Sequence, residues 1–215
     1  MKAYEDLIHL REDVVPNTDL RPWYWLREDT GAWQGPSEEF WPLRNACLKH
    51  CGNRRNVIVQ AGGCQGMYPR LWSNDFRAVY TFEPDPLNFH VLTLNCQKDN
   101  ISKFQAALGS SPGMVTVKRS SMVNVGMHQV EENVNGNVPR LRIDDLGLKT
   151  CDLIQLDTEA TEADILLGAM NTIVLYRPVV SVETYQGAVE TLLASLGYTT
   201  VSEPEVRVDR IFVPG

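Results

Sequence analysis

The apolar residues of this chain fall into short blocks of two alternating kinds. Continuous apolar runs bounded by turn residues predict buried strands: "NVIVQA" (56–61), "AVYTFE" (78–83), "KFQAALG" (103–109), "CDLIQLD" (151–157) and "PVVSVET" (178–184), with a more alternating run in "GMVTVKRS" (113–120). Stretches with helical spacing lie between them. "SEEFWPLRNACLKHC" sets Phe40, Leu43, Ala46, Cys47 and Leu48 near one face behind Ser37 as N-cap. "MYPRLWSN" predicts a short helix. "DPLNFHVLTLNCQKD" begins with Asp85 as N-cap and Pro86 at the first helical position, "TEADILLGAM" continues the pattern, and "GAVETLLASLG" ends on a glycine. Residues 121–140 have little periodicity and read as a loop with hairpin character; "VPRLRIDDLGL" (138–148) adds a short strand and turn. "YTTVS" and "VRVDRIFVP" close the chain as two strands around the turn "EPE".

Strands alternating with helices predict an α/β fold with a Rossmann-like, doubly wound, mostly parallel sheet. The last two strands have no helix between them, so an antiparallel hairpin is expected at one edge. Residues 1–37 read as an arm and 38–215 as the main domain. Four of the five tryptophans fall between Trp23 and Trp41, in a stretch too irregular for a long helix and too aromatic for a disordered tail. Such an arm would pack on the main domain, over its core, a ligand mouth or a subunit interface. A homo-oligomer is therefore left open.

At 215 residues a single core is the default. The net charge of −7 argues against broad nucleic-acid binding, although "NRR" (53–55) and "VKRSS" (117–121) leave room for a local basic patch. No run approaches the roughly 20 apolar residues of a membrane span, and "MKAYEDLIHLREDVVP" is too charged for a signal peptide. The five cysteines (47, 51, 64, 96, 151) lack paired metal-ligand spacing, even though His50 stands between Cys47 and Cys51. Reduced thiols and a cytoplasmic location are expected, with no metal.

Chemistry concentrates at the strand ends. In doubly wound sheets, ligands bind beyond the carboxyl ends of the strands. The first strand runs into "GGCQG", where Gly62, Gly63 and Gly66 permit a tight turn. The second ends in "FEPDP", placing Glu83 where a carboxylate can accept hydrogen bonds from ribose hydroxyls.

These segments resemble the FkbM family of S-adenosylmethionine-dependent methyltransferases. "VIVQAGGCQG" is similar to that family's "vDvGAnxG", "VYTFEPDPLNFHVLTLN" to "vyaFEPdPxnfxxLxxN" and "FQAALGSSPG" to "vxaALgdxxG". "LRIDDL" is similar to "ttlDdl" and "DLIQLDTEATEADILLGA" to "dfiKiDvEGaExdvLxGa". The matches run in order over roughly residues 56–214 and imply a seven-stranded methyltransferase sheet with S-adenosylmethionine as cofactor. By resemblance, Gln60, Gly62, Gly63, Cys64 and Gly66 would hold the methionine part. Glu83 would take the ribose, Pro84 and Asp85 the adenine edge, Ala106 and Ala107 the adenine, and Asp157 would face the sulfonium and the substrate. Three positions depart from the pattern: Gln60 stands for an acid, Cys64 for asparagine and Ala160 for glycine.

The resemblance implies a methyl acceptor that is a hydroxyl of a sugar, glycan or small metabolite. Candidate bases for its proton are His128, Asp157, Glu159 and Glu183. Asp157 and Glu159 have an alternative role as helix-capping charges, and His128 one as an exposed loop histidine. Glu183 ends a buried strand, where a carboxylate needs a partner or a task. Tyr185 and the tryptophan arm would shape the acceptor pocket. Two alternatives stay open: a non-catalytic protein retaining the fold, and a nicotinamide-dependent oxidoreductase, against which the closing strand pair and "LDTEATE" both speak.

Overall fold

A computed structural model describes residues 4–11, 22–183 and 187–215, with the side chains of residues 4, 5 and 32–38 outside the description. The chain opens with α1 (Tyr4–Leu7) and β1 (Ile8–Arg11), which pairs antiparallel with β2 (Trp23–Leu26); α2 (Gly31–Cys51) follows. Then come β3 (Val57–Ala61), α3 (Met67–Trp72), β4 (Ala78–Phe82), α4 (Pro86–Asn95), β5 (Ile101–Phe104), β6 (Ala107–Leu108), β7 (Gly113–Lys118), β8 (Gln129–Glu132) and β9 (Val138–Leu141). The rest comprises β10 (Leu153–Leu156), α5 (Glu162–Leu167), α6 (Met170–Tyr176), β11 (Val179–Val182), α7 (Gly187–Ser195), β12 (Tyr198–Val201) and β13 (Arg210–Pro214).

Seven strands form the central sheet in the order β12-β13-β11-β10-β3-β4-β5. β11, β10, β3, β4 and β5 are parallel, while β13 runs antiparallel to both β11 and β12. β10 and β11 are buried at every position, as strands covered on both faces must be, which is why "LIQL" and "VVSV" carry so little alternation. From β3 the chain winds outward through β4 and β5, then returns to the other side of β3 with β10. The carboxyl ends of β3 and β10 therefore flank the switch in strand order, and the glycine loop and Asp157 emerge side by side there.

Four local expectations change. The helix expected behind Ser37 starts at Gly31, with Thr30 at the N-cap position; the Ser37 side chain lies outside the described residues. "KFQAALG" is two strands, because the chain leaves the main sheet after Phe104. Its β6 joins a second sheet ordered β6-β9-β7-β8. In that sheet β8 pairs with β7, so the segment 121–140 holds a strand as well as loop. "TEADILLGAM" breaks at Gly168, where a Cβ would lie 2.0 Å from the Gly109 carbonyl oxygen; a second helix, α6, follows.

The positive clusters are used inside the fold. Arg54 donates to the carbonyls of Tyr176 and Arg177 and pairs with Asp152, and Arg55 donates to the carbonyls of Leu48 and Gly52. Lys118 pairs with Glu131 and Arg119 with Asp85. Among the described residues no helix is long and apolar enough to cross a membrane.

Candidate functional site

At the carboxyl ends of the central strands lies a cavity of about 230 Å³. Its walls include Gly62, Gly63, Cys64, Glu83, Pro84, Ala106, Ala107, His128, Asp157, Glu159 and Glu183, so most of the residues expected from sequence converge on one space.

The glycine loop is shaped first by the protein's own backbone. Gly62 has φ +81°, and a Cβ there would lie 1.7 Å from the Asp157 carbonyl oxygen. A Cβ at Gly63 would lie 2.6 Å from Leu92. Gly66, expected in the cofactor loop, is not on the cavity wall; its φ of +93° and the closeness of Leu92 and Cys96 explain the glycine. The turn aims the Cys64 amide at Glu83, which accepts at 2.7 Å on Oε2, while the Asp85 amide donates to Oε1 at 2.8 Å. Burial pushes the Glu83 carboxyl up to about 8, against the lowering effect of those two amides. Each of its oxygens has a second lone pair.

Two expected contacts fail here for the same reason, because the side chains are spent on the protein itself. Gln60 is fully buried behind the loop: its Nε2 donates to the carbonyls of Ala61 and Gly62 at 3.1 Å, and its Oε1 accepts from Thr81 at 2.6 Å. It does not line the cavity, so exchanging the family's acid for an amide there braces the loop without altering a cavity contact. Asp85 is fully buried, caps α4 through the amides of Leu87 and Asn88, and binds Arg119 with both oxygens, at 2.6 and 3.0 Å. Against the cost of burial, His128 and Arg119 hold its carboxyl well below the usual range.

His128 is no base. Its Nδ1 faces Asp85 at 3.1 Å, and its Nε2 faces the Ser121 carbonyl, which can only accept, at 2.7 Å. Both nitrogens donate, so the ring is the imidazolium and has no lone pair to offer. Burial lowers its pKa, but Asp85 and Ser121 outweigh that and the net shift is upward. With a side chain only 5% exposed, it is no exposed loop histidine either. It pins the segment 121–128 onto the start of α4.

The opposite end is acidic. Asp157 and Glu183 follow the adjacent parallel strands β10 and β11, near enough for the Glu183 carboxylate to disfavour ionisation of Asp157. Burial, and then Glu183, push the Asp157 carboxyl far above its ordinary value. Glu159 is raised by burial, by Glu183 and by Glu162. The capping alternative for Asp157 and Glu159 does not hold, because α5 begins at Glu162 with Thr161 in the N-cap position. Glu159 and Ala160 have φ of +55° and +80°, so the alanine standing for glycine occupies a conformation that glycine favours.

Four residues here escaped the sequence reading. Tyr68, Glu39 and Trp25 line the cavity, and Asp209 stands beside Glu183, its carboxyl pushed up to about 7 by burial and that neighbour. Tyr68, in the short helix directly after the loop, and Trp25, in the aromatic arm, lay within stretches already singled out. Glu39 and Asp209 carry no local signal. Tyr185 lies outside the described residues. The arm is tied to the glycine loop through Gln65, which accepts from the Leu26 amide at 2.8 Å and donates to buried Asp29 at 2.6 Å. Asp29 also takes the Trp25 indole N–H at 2.7 Å.

Residues 60–200 match the family model described as the methyltransferase FkbM domain. The chain belongs to that family. That domain is described as a methyltransferase, for which the resemblance of the sequence implies S-adenosylmethionine as cofactor. Among solved structures the fold is similar to the methyltransferase FkbM of Methylobacillus flagellatus KT, with TM-score 0.51, 16% identity, 74% of this chain and 43% of that chain covered. It is also similar to ribosomal protein L11 methylase of Lactobacillus delbrueckii subsp. bulgaricus, with TM-score 0.51, 9% identity and coverage of 86% and 80%. The same holds for TYW2 of M. jannaschii, solved in complex with AdoMet, with TM-score 0.50, 13% identity and coverage of 97% and 87%. This FkbM-domain chain thus spans less than half the length of its M. flagellatus neighbour. No curated protein matches it.

The residues present fit the cofactor. Glu83 is a buried wall carboxylate with a free lone pair on each oxygen, suited to a ribose diol, and the opposite acids suit a cationic centre.

Proposed function

We propose that this chain is an S-adenosylmethionine-dependent O-methyltransferase acting on a hydroxyl of a sugar or small metabolite. The observation that carries the reading is the Asp157–Glu183 carboxyl pair at the end of the cavity opposite Glu83. Bound S-adenosylmethionine supplies a methyl group on a sulfonium. The chain's task is then to hold the acceptor oxygen in line and to take its proton as the new C–O bond forms. Burial and the neighbouring Glu183 carboxylate pull the Asp157 pKa upward, which suits a group that receives a hydroxyl's proton. Glu83 with Pro84, Ala106 and Ala107 would hold the nucleoside, and Gly62, Gly63 and Cys64 the methionine part. A non-catalytic protein retaining the fold is the weaker reading: of the departures behind it, Gln60 is turned away from the cavity and only the strain at Ala160 remains.

Calorimetry with S-adenosylmethionine tests the cofactor assignment. Glu83→Ala is expected to weaken binding by about 1–3 kcal/mol, and an unchanged affinity would refute the ribose assignment. Formation of S-adenosylhomocysteine with hydroxylated acceptors, lost in Asp157→Asn, tests the base.

A further inference from the structure

The methionine part of the cofactor has lost one of its expected partners. By resemblance Gln60 would hold it, but both ends of the Gln60 amide are bound to Thr81 and to the backbone of the loop. Gln60 does not line the cavity.

A side chain with an unused polar end stands close by. Tyr68, in the first turn of α3 directly after the glycine loop, lies on the cavity wall and is only 6% exposed. Its ring packs against Phe40, with the ring centroids 5.4 Å apart. Its hydroxyl makes no hydrogen bond to any described residue, although a buried phenol usually finds a partner.

The charge around that hydroxyl selects what it can meet. Burial, and then Asp209, Asp157, Glu39 and Glu183, push the phenol's pKa upward, so it stays neutral and keeps its proton. A neutral phenol both donates and accepts. The cofactor's amino-acid end offers an ammonium, which only donates, and a carboxylate, which only accepts. Beside carboxyl groups a further carboxylate is repelled and an ammonium is attracted. The ammonium is the group that fits, with the phenol oxygen as its acceptor.

We propose that the Tyr68 hydroxyl makes the contact that Gln60 does not, accepting a hydrogen bond from the ammonium of the methionine part. This rests on the cofactor in the reading above and adds a binding residue to it. Gln60 then braces the loop from behind, and Tyr68 meets the cofactor from the helix that follows the loop.

The test is calorimetric titration of the full chain at pH 7 with four nucleosides. S-adenosylhomocysteine carries both charged groups, its decarboxylated analogue only the amine, its deaminated analogue only the carboxylate, and methylthioadenosine neither. Tyr68→Phe keeps the ring and removes an oxygen that no described residue binds, so the variant should fold as the wild type does. It is expected to weaken the two amine-bearing ligands about fivefold or more and to leave the other two within about twofold. Should the variant not fold, the wild-type protein must bind the decarboxylated analogue about fivefold tighter than the deaminated one; no such preference overturns the proposal. It is equally overturned if Tyr68→Phe leaves S-adenosylhomocysteine binding unchanged, weakens all four ligands alike, or weakens the deaminated analogue as much as the decarboxylated one. S-adenosylhomocysteine binding that ignores the substitution removes the Tyr68 contact alone. Wild-type protein that binds none of the four removes the cofactor reading with it.

Discussion

The two ends of the cavity treat buried acids in opposite ways. Around Asp85 the carboxylate is surrounded by donors: the Leu87 and Asn88 amides, the Arg119 guanidinium and the His128 imidazolium. Around Asp157 the charged groups are Glu183, Asp209 and Glu159, and each raises its carboxyl rather than holding it ionised. The first arrangement is finished within the chain and holds its parts together. The second gathers like charges, and under the proposed function it would face the sulfonium. Burial by itself did not separate these roles; the charge of the partners did. Glu83 stands between the two, satisfied once per oxygen by amides and still able to accept more.

The largest effect is expected where the ends are joined. Gly62→Ala would drive a methyl into the Asp157 carbonyl at a residue with φ +81°. Thermal unfolding and calorimetry should show a loss of several kcal/mol or a failure to fold, together with lost cofactor binding. Wild-type stability would mean that the loop is held differently.

Next come the acids themselves. Asp85→Asn removes the carboxylate that Arg119 and His128 both face and should cost about 3–5 kcal/mol in denaturant unfolding. Asp209→Asn removes a like charge and should be neutral or stabilising at pH 8. If both destabilise equally, the contrast between the ends is false.

The pH dependence follows from the same contrast. Glu83, Asp209 and Asp157 hold protons in the folded state that the unfolded chain releases above roughly pH 4.5. The native state then binds more protons, so stability falls as pH rises, through about 7 for Asp209 and about 8 for Glu83. Asp85 acts oppositely, because its depressed carboxyl contributes stability that disappears only as pH falls below roughly 4. The melting temperature of the ligand-free protein should therefore peak near roughly pH 5 and decline toward pH 8, and the decline should be shallower in Glu83→Gln. A curve rising from pH 5 to 8 would contradict the assignment. The smallest effect is Ala160→Gly, which relieves φ +80° and should raise stability by about 1 kcal/mol or less.

Much of this site could be read in the sequence because its parts are local. The glycines of "GGCQG", Glu83 after a strand and Asp157 after another each sit at a strand end, and parallel strands deliver their ends to one edge. Asp85 as a cap was equally plain, since N-cap chemistry spans only three residues. What lay outside a local reading is pairing across the chain. Gln60 was assigned to the cofactor until Thr81 on the neighbouring strand claimed its oxygen. His128 was a candidate base until Asp85 and Ser121 occupied both its nitrogens. Glu39 and Asp209 had no local pattern to mark them.

The sequence by itself therefore determined the alternation of strands and helices, the turn at the first strand and the acids at the strand ends, because hydrophobic periodicity and caps act over a few residues. Only the tertiary structure decided which acids met cations and which met one another. That depends on side chains far apart in sequence, and the sign of their interaction is fixed only once folding has brought them within a few ångströms.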